Sequence, residues 1–129
     1  MPKQFTLGKN ERLKSRKSIE QLFKEGKKIV VAPYKVLYAS VPLYKGSSLL
    51  FGTGVSAKIF KKAVDRNRIK RLTREAWRLQ KQDLQNRLKE QNNQLHVFLI
   101  YTGKELPAYD EVHKKIGLVL KKIDKIIGE

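Results

Sequence analysis

One stretch, residues 58–78, constrains the fold more than any other; it reads KIFKKAVDRNRIKRLTREAWR. On a helical wheel at 100° per residue, its apolar side chains collect on one side and its basic side chains on the other. A helix of this kind buries one face, so the chain needs a second layer of structure for that face to pack against. The apolar arc spans about 160° and consists of Ile69, Leu72, Ala76, Trp77 and Leu79.

The opposite side of this predicted helix is strongly basic. The stretch holds nine basic residues and two acids, Asp65 and Glu75. Exposed helical faces usually mix charges of both signs, but here Lys70, Arg74 and Arg78 follow one another at one-turn intervals, which destabilises an isolated helix. Arginine is the commoner basic residue, and its planar guanidinium suits two-point recognition of phosphate. The pattern therefore favours a face that a nucleic acid neutralises over an ordinary solvated face.

The composition agrees with a small folded protein that attracts polyanions. The 129 residues are 40% hydrophobic, enough for one domain over residues 1–129, and the formal net charge is +17. Residues 1–14 are basic and are expected to form a flexible arm that orders on binding. No cysteine is present, and no apolar run has the length of a signal peptide or a membrane helix. We expect a cytoplasmic protein that is monomeric without its partner, although an anionic membrane surface also attracts basic residues.

The remaining sequence predicts an α+β sandwich, with helices packed against a small sheet in the order α-β-β-α-β-α. In the first strand, Tyr34, Val36 and Tyr38 alternate with residues that point to the other face. Asn92-Asn93 ends the long helix. The predicted elements are a helix to about Lys24 stopped by Gly26, a strand over 29–41 paired as a hairpin with a strand over 49–56, a helix over 64–88, a buried strand over 95–101, and a last helix whose core stripe is Val112, Ile116, Val119, Leu120, Ile123 and Ile127.

Two further features bear on binding. Gly52 and Gly54 leave one face of the second strand without side chains, which indicates either close approach of another group or a sharp twist. Phe23, Tyr34 and Tyr38 have the spacing of a surface that stacks unpaired bases, but the same spacing is typical of core residues. The residues alone leave this choice open.

At Arg66-Asn67-Arg68 the sequence resembles a known family. The segment VSAKIFKKAVDRNRIKRLTREAW is similar to the signature of the protein subunit of bacterial ribonuclease P. The resemblance extends to Arg12-Leu13, to Phe23 and Gly26, to Val36-Leu37-Tyr38 and to the last helix, and so covers roughly residues 10–125.

The resemblance implies a fold, partners and site residues. It implies an α/β sandwich with a left-handed β-α-β crossover. It also implies a catalytic RNA partner that removes the 5′ leader of precursor tRNA, with magnesium ions held chiefly by RNA; no magnesium ligand is assigned to protein side chains. RNA-binding roles carry over to Lys58, Lys62, Arg66, Asn67, Arg68, Lys70, Arg71 and Arg74. A leader-binding cleft carries over to Ile19, Phe23, Val36 and Tyr38; position 19 often holds Phe in relatives, so only apolar contact is expected from Ile19.

Three alternatives differ in function class. A protein-only nuclease needs clustered carboxylates to hold metal ions, whereas the acids here are scattered and His96 and His113 have no obvious partner. A ribosomal or chaperone-like binder of structured RNA fits the charge equally well and is disfavoured only by the signature. Duplex DNA binding lacks a recognisable DNA-reading motif. We therefore expect no catalytic side chain in this chain.

Overall fold

The fold is that of a computed structural model, which describes residues 12–13, 16–42 and 48–128. The α+β class is confirmed, but the observed order, α-β-β-β-α-α-β-α, has two more elements than predicted. The helices are α1 Arg16–Glu25, α2 Ala63–Gln80, α3 Gln82–Gln91 and α4 Tyr109–Gly128. The strands are β1 Lys27–Val31, β2 Tyr34–Pro42, β3 Leu49–Val55 and β4 Asn93–Tyr101.

The first extra element arises because the predicted strand over 29–41 is folded back on itself. The chain reverses at Ala32 and Pro33, which are joined by a cis peptide bond. β1 and β2 then pair antiparallel, from Lys27 opposite Tyr38 to Val31 opposite Tyr34. Pro33 has no N–H to donate to a sheet ladder, so it lies in the turn and not within a strand.

The predicted hairpin between the strands over 29–41 and 49–56 is wrong. The sheet order is β1-β2-β4-β3, so β4 lies between β2 and β3. β4 pairs antiparallel with β2 and parallel with β3. The continuous apolar run of Leu95–Tyr101 thus forms a central strand, as its lack of alternation predicted. Helices α2 and α3 form the crossover between the parallel strands β3 and β4; its left-handed sense remains a prediction.

The second extra element arises from a break in the long helix at Lys81. The Lys81 N–H still donates to the Trp77 carbonyl at 3.0 Å, but α2 ends at Gln80 and α3 begins at Gln82. The predicted stop at Asn92-Asn93 is confirmed: Asn92 has φ 57°, the left-handed conformation in which helices often end.

The sheet has two faces with separate cores. On one face, Trp77 of α2 stacks on Phe51 of β3 at 4.4 Å between ring centroids. On the same face the Tyr34 hydroxyl lies 2.8 Å from Thr73 Oγ1. The predicted stripe of α4 also packs there, with five of its members buried and Ile127 partly buried. The other face holds a smaller cluster of Leu13, Leu22 and Leu37, covered by α1.

The segment before α1 contributes to this smaller core. Leu13 is buried, and its N–H donates to the Phe51 carbonyl at 2.8 Å, so residues 12–13 run alongside β3. This part of the predicted flexible arm is therefore packed against the sheet, whereas residues 1–11 and 14 lie outside the described residues. No helix in the described part of the chain is both long and apolar enough to cross a membrane.

Candidate RNA-binding surfaces

Helix α2 separates a buried face from an exposed one, as the wheel predicts. Ile69, Thr73, Ala76 and Trp77 are buried, which fixes the orientation of the helix on the sheet. Leu79 departs from the prediction, because it is 42% exposed. The opposite side, here called the α2 ridge, is partly or fully exposed and consists of Asn67, Lys70, Arg71, Arg74 and Arg78.

The charge of the α2 ridge is uneven along the helix. At its C-terminal end, Arg78 Nε donates to Glu75 Oε2 at 3.2 Å, and a second guanidinium nitrogen contacts the other carboxylate oxygen. This hydrogen bonding lowers the pKa of Glu75, so both groups stay charged and largely cancel each other. The unbalanced positive charge of the ridge therefore lies towards its N-terminal end, at Lys70, Arg71 and Arg74. Arg68, which is exposed on the same part of the helix, adds to it.

The loop between β3 and α2 adds lysines next to this end of the ridge. Lys58, Lys61 and Lys62 are exposed, and Lys62 immediately precedes α2. Arg66 differs from the other predicted RNA-binding residues, because its Nη1 donates to the carbonyl oxygens of Phe60 at 2.8 Å and Lys61 at 2.9 Å. One guanidinium nitrogen is thus engaged within the protein.

The structure does not bring the four predicted cleft residues together. Ile19 and Phe23 lie on α1, over one face of the sheet. Val36 and Tyr38, 0% and 8% exposed, belong to the core on the opposite face. The prediction that these four line one cleft is wrong, because alternation along β2 places Val36 and Tyr38 on the same side as Tyr34, which contacts α2 through Thr73.

A groove does lie beside α1, but other sheet residues line it. Its volume is about 380 Å³ and its wall includes Phe98 of β4, Gly52 of β3 and Ile19 of α1. Phe23 borders it, with its ring centroid 5.4 Å from that of Phe98. The lining residues, called the α1 groove below, are Arg12, Leu13, Ile19, Phe51, Gly52, Thr53, Arg74 and Phe98.

Sequence reasoning missed Phe98 and the position of Arg74. Phe98 lies within an apolar run that predicts a buried strand, and nothing in the run marks it as partly exposed. The signal was in Gly52 and Gly54: a Cβ at position 52 would lie 2.8 Å from Phe98 Cδ2 and one at position 54 would lie 3.2 Å from Cε1. Close approach is therefore the correct reading of the two glycines. The α2 ridge and the α1 groove lie on either side of β3, which is an edge strand of the sheet. Arg74 belongs to both surfaces.

The two histidines take part in local structure. His96 Nε2 donates to Gln94 Oε1 at 2.9 Å, and burial lowers the pKa of His96 below its ordinary value. The carbonyl oxygen of His113 accepts a hydrogen bond from Gln80 Nε2 at 2.9 Å. Among residues 12–13, 16–42 and 48–128, no three His, Asp or Glu side chains are grouped so as to hold a metal ion.

The sequence matches a family model described as Ribonuclease P over residues 7–124. The chain belongs to this family. The matched residues include α2, the loop before it and the whole sheet, so the resemblance at Arg66-Asn67-Arg68 is confirmed. A ribonuclease P protein is a subunit of a holoenzyme that processes tRNA, and the catalytic RNA of that holoenzyme is not part of this chain.

Named relatives agree with the assignment to ribonuclease P. A ribonuclease P protein component from Porphyromonas gingivalis is 36% identical over 122 residues, which cover 95% of this chain and 89% of the relative. The structure of an RNase P protein from Thermotoga maritima matches with a TM-score of 0.63 at 26% identity, covering 87% of this chain and 96% of the other. The Staphylococcus aureus RNase P protein has the same fold at 20% identity, with a TM-score of 0.68 and coverage of 88% and 94%.

Proposed function

We propose that this chain binds the catalytic RNA of ribonuclease P through the α2 ridge and the loop before it, and the 5′ leader of precursor tRNA through the α1 groove. Arg74 carries the proposal, because it belongs to both surfaces. The two surfaces are therefore contiguous, and a single-stranded leader in the groove would pass directly beside an RNA bound on the ridge.

The chemistry of each surface supports its assigned partner. Exposed Arg68 and Arg71, with the loop lysines, supply fixed positive charge for the phosphates of a folded RNA. The α1 groove combines two arginines with apolar and aromatic side chains, which suits a strand whose bases are unpaired. The protein would position the leader and neutralise phosphates between the two RNAs, without a side chain that breaks a bond.

Magnesium ions are assigned to the RNA in this proposal. In the described part of the chain, no three His, Asp or Glu side chains are grouped as ligands, so no all-protein site for a divalent ion is proposed. Positive charge on the protein lowers the repulsion between the two RNAs, and a holoenzyme with the protein should need less magnesium than the RNA alone. The chain is expected to be monomeric without RNA, because +17 of net charge opposes self-association. It is also expected to be cytoplasmic, where its RNA partners would be available.

The test is cleavage of precursor tRNA by the cognate catalytic RNA at limiting magnesium, with and without the protein. We expect cleavage to depend on the protein, and to fall for the double variant Arg68→Glu/Arg71→Glu. A matched control, Lys121→Glu/Lys122→Glu, makes the same change in charge at exposed positions on α4 and is expected to retain activity. Equal rates with and without protein would overturn the proposal.

The leader assignment has its own readout. The holoenzyme should bind precursor tRNA more tightly than tRNA that lacks the leader, and Phe23→Ala should reduce this difference without weakening the binding of catalytic RNA. Cross-linking in cells separates the remaining alternative, since capture of ribosomal RNA in place of one catalytic RNA would indicate a general binder of structured RNA.

A further inference from the structure

Phe98 occupies the middle of the sheet face that α1 covers. Its neighbours in register are Leu37 of β2, which is buried, and Gly52 of β3. The ring lies along the β3 backbone: Cδ2 and Cε2 fall 2.8 and 3.0 Å from where a Cβ of residue 52 would be. On the far side of the ring, Cε1 and Cζ fall 3.2 and 3.3 Å from the corresponding point at Gly54. The ring therefore fills the space that two side chains would otherwise take.

This placement leaves the ring accessible. Phe98 is partly exposed, whereas the alternate residues of β4 that face the main core are buried. Phe23 of α1 packs against it at an interplanar angle of 60° and is itself 45% exposed. Two aromatic rings thus meet at an open surface. In an apolar core, by contrast, both rings would be buried.

The surroundings of Phe98 are cationic. Arg12 lies on the segment beside β3 and Arg74 on α2, and both line the α1 groove with Phe98. Both residues are exposed. An aromatic surface next to guanidinium groups suits a nucleotide whose base stacks while its phosphates pair with arginine.

We propose that Phe98 is a base-stacking residue for the leader, on which one unpaired nucleotide stacks while Arg12 and Arg74 contact neighbouring phosphates. The inference rests on the proposed binding of the leader in the α1 groove. Position 19, where the resemblance leads one to expect Phe, holds Ile, and the aromatic surface is supplied from the sheet by Phe98. Gly52 and Gly54 make room for it. The occupant is single-stranded RNA, because a base within a duplex cannot expose its face to a side chain.

The experiment scans the leader with single abasic nucleotides and measures the affinity of precursor tRNA for holoenzymes containing wild-type protein, Phe98→Leu or Phe98→Tyr. For the wild type, removal of the base at one leader position should weaken binding by about 5- to 150-fold, the range for one stacked base. With Phe98→Leu the intact leader should bind more weakly and loss of that same base should have little further effect. Phe98→Tyr, the matched control, keeps the ring and should retain the position-specific effect.

The outcomes separate this inference from the proposed function. If the wild-type holoenzyme does not distinguish precursor tRNA from leaderless tRNA, leader binding itself fails. If it does distinguish them but Phe98→Leu shows the same abasic profile as the wild type, only the role of Phe98 is overturned. A measurement on unmodified protein covers the case in which Phe98→Leu folds poorly: leaders carrying 5-iodouridine should photo-cross-link to a peptide containing Phe98. Cross-links confined to α1 would contradict the inference.

Discussion

The Nη1 atom of Arg66 donates a hydrogen bond to the carbonyl oxygen of Phe60, 2.8 Å away. Phe60 is buried, and its ring lies 6.1 Å from that of Tyr101 between centroids. Phe60 therefore fixes the loop before α2 in two ways. Its ring packs in the core, and its carbonyl oxygen accepts a hydrogen bond from a guanidinium in the first turn of the helix. We infer that Arg66 positions this loop, and with it Lys58 and Lys62, in addition to any contact it makes with phosphate.

Replacing Arg66 by lysine tests this role, because lysine keeps the charge but loses the guanidinium geometry. We expect Arg66→Lys to lower the unfolding free energy by about 1 kcal/mol and to speed amide hydrogen exchange in the loop. RNA affinity should fall while the slope of log affinity against log salt stays unchanged. Exchange measured by mass spectrometry and binding measured at several salt concentrations supply the two readouts.

Arg68 is the matched control, because it is exposed on the same helix. Arg68→Lys should leave loop exchange unchanged, and Arg68→Gln should reduce the salt slope by about 1 without affecting the loop. If Arg66→Lys exchanged like the wild type while Arg66→Gln lowered the salt slope as Arg68→Gln does, Arg66 would be a phosphate contact only.

Gly52 and Gly54 give a paired prediction about stability. Alanine at position 52 would put its Cβ 2.8 Å from the Phe98 ring, so the ring must shift, at a cost of about 1–3 kcal/mol. At position 54 the nearest ring atom is 3.2 Å away, and the lower entropy of the unfolded chain offsets much of the smaller strain. Denaturant unfolding should show Gly52→Ala clearly destabilised and Gly54→Ala close to the wild type. Equal stabilities for the two variants would contradict this arrangement of the ring.

Local patterns predicted what depends on one element at a time. The core stripes of α2 and α4, the stop of α1 at Gly26 and the alternation of Tyr34, Val36 and Tyr38 follow from periodicity and capping, and the structure contains them. The pairing of strands depends on which distant segments meet. β4 enters between β2 and β3 after two intervening helices. Nothing in the sequence of residues 43–47, which lie outside the described residues, signals this arrangement.

The same distinction explains the outcome for the candidate site. The α2 ridge was predictable, because its residues share one helix. The α1 groove was not, because it joins α1, β3, β4 and α2 across the β3 edge. The error at Val36 and Tyr38 shows the consequence: their face of β2 was predicted correctly, but the side of the sheet on which α1 packs was not. Gly52 and Gly54 indicated a close neighbour without identifying it as Phe98.

The buried pair of Tyr34 and Thr73 leads to a prediction at alkaline pH. Thr73 Oγ1 donates to the Ile69 carbonyl, so in the 2.8 Å contact the Tyr34 hydroxyl is the donor. Burial raises the pKa of Tyr34 to about 12. Below pH 10 the phenol is neutral in both states and its contribution is complete; above pH 10 the unfolded chain loses the proton first, so stability falls as the pH rises towards 12.

Tyr34→Phe removes both effects. Near neutral pH the variant should be less stable by about 0.5–1.5 kcal/mol, because one buried hydrogen bond is lost and no donor is left unpaired. Between pH 10 and 12 the wild type should lose stability through ionisation of Tyr34, whereas the variant should not. The stability difference between the two proteins should therefore shrink and then reverse. Chemical unfolding at pH 8, 10 and 11 checks this. A difference that stays constant over that range would show that Tyr34 ionises as easily in the folded protein as in the unfolded chain.

His96 gives the corresponding prediction at acidic pH. It is half-buried beside α1, in a groove also lined by Glu25 and Ser40, and burial lowers its pKa below the ordinary 6.5. Above pH 6.5 the imidazole is neutral in both states; as the pH falls the unfolded chain takes up the proton first, so folded stability decreases. His96→Gln lacks this titration and should lose less stability between pH 7 and 5. Comparison with pH 8, where the imidazole is neutral in both states, separates this effect from any packing cost.

Hydrogen exchange in α1 gives a second readout, because the groove flanks α1. Protection of α1 from exchange should weaken in the wild type between pH 7 and 5. Equal weakening in His96→Gln would assign the acid sensitivity to a carboxylate instead.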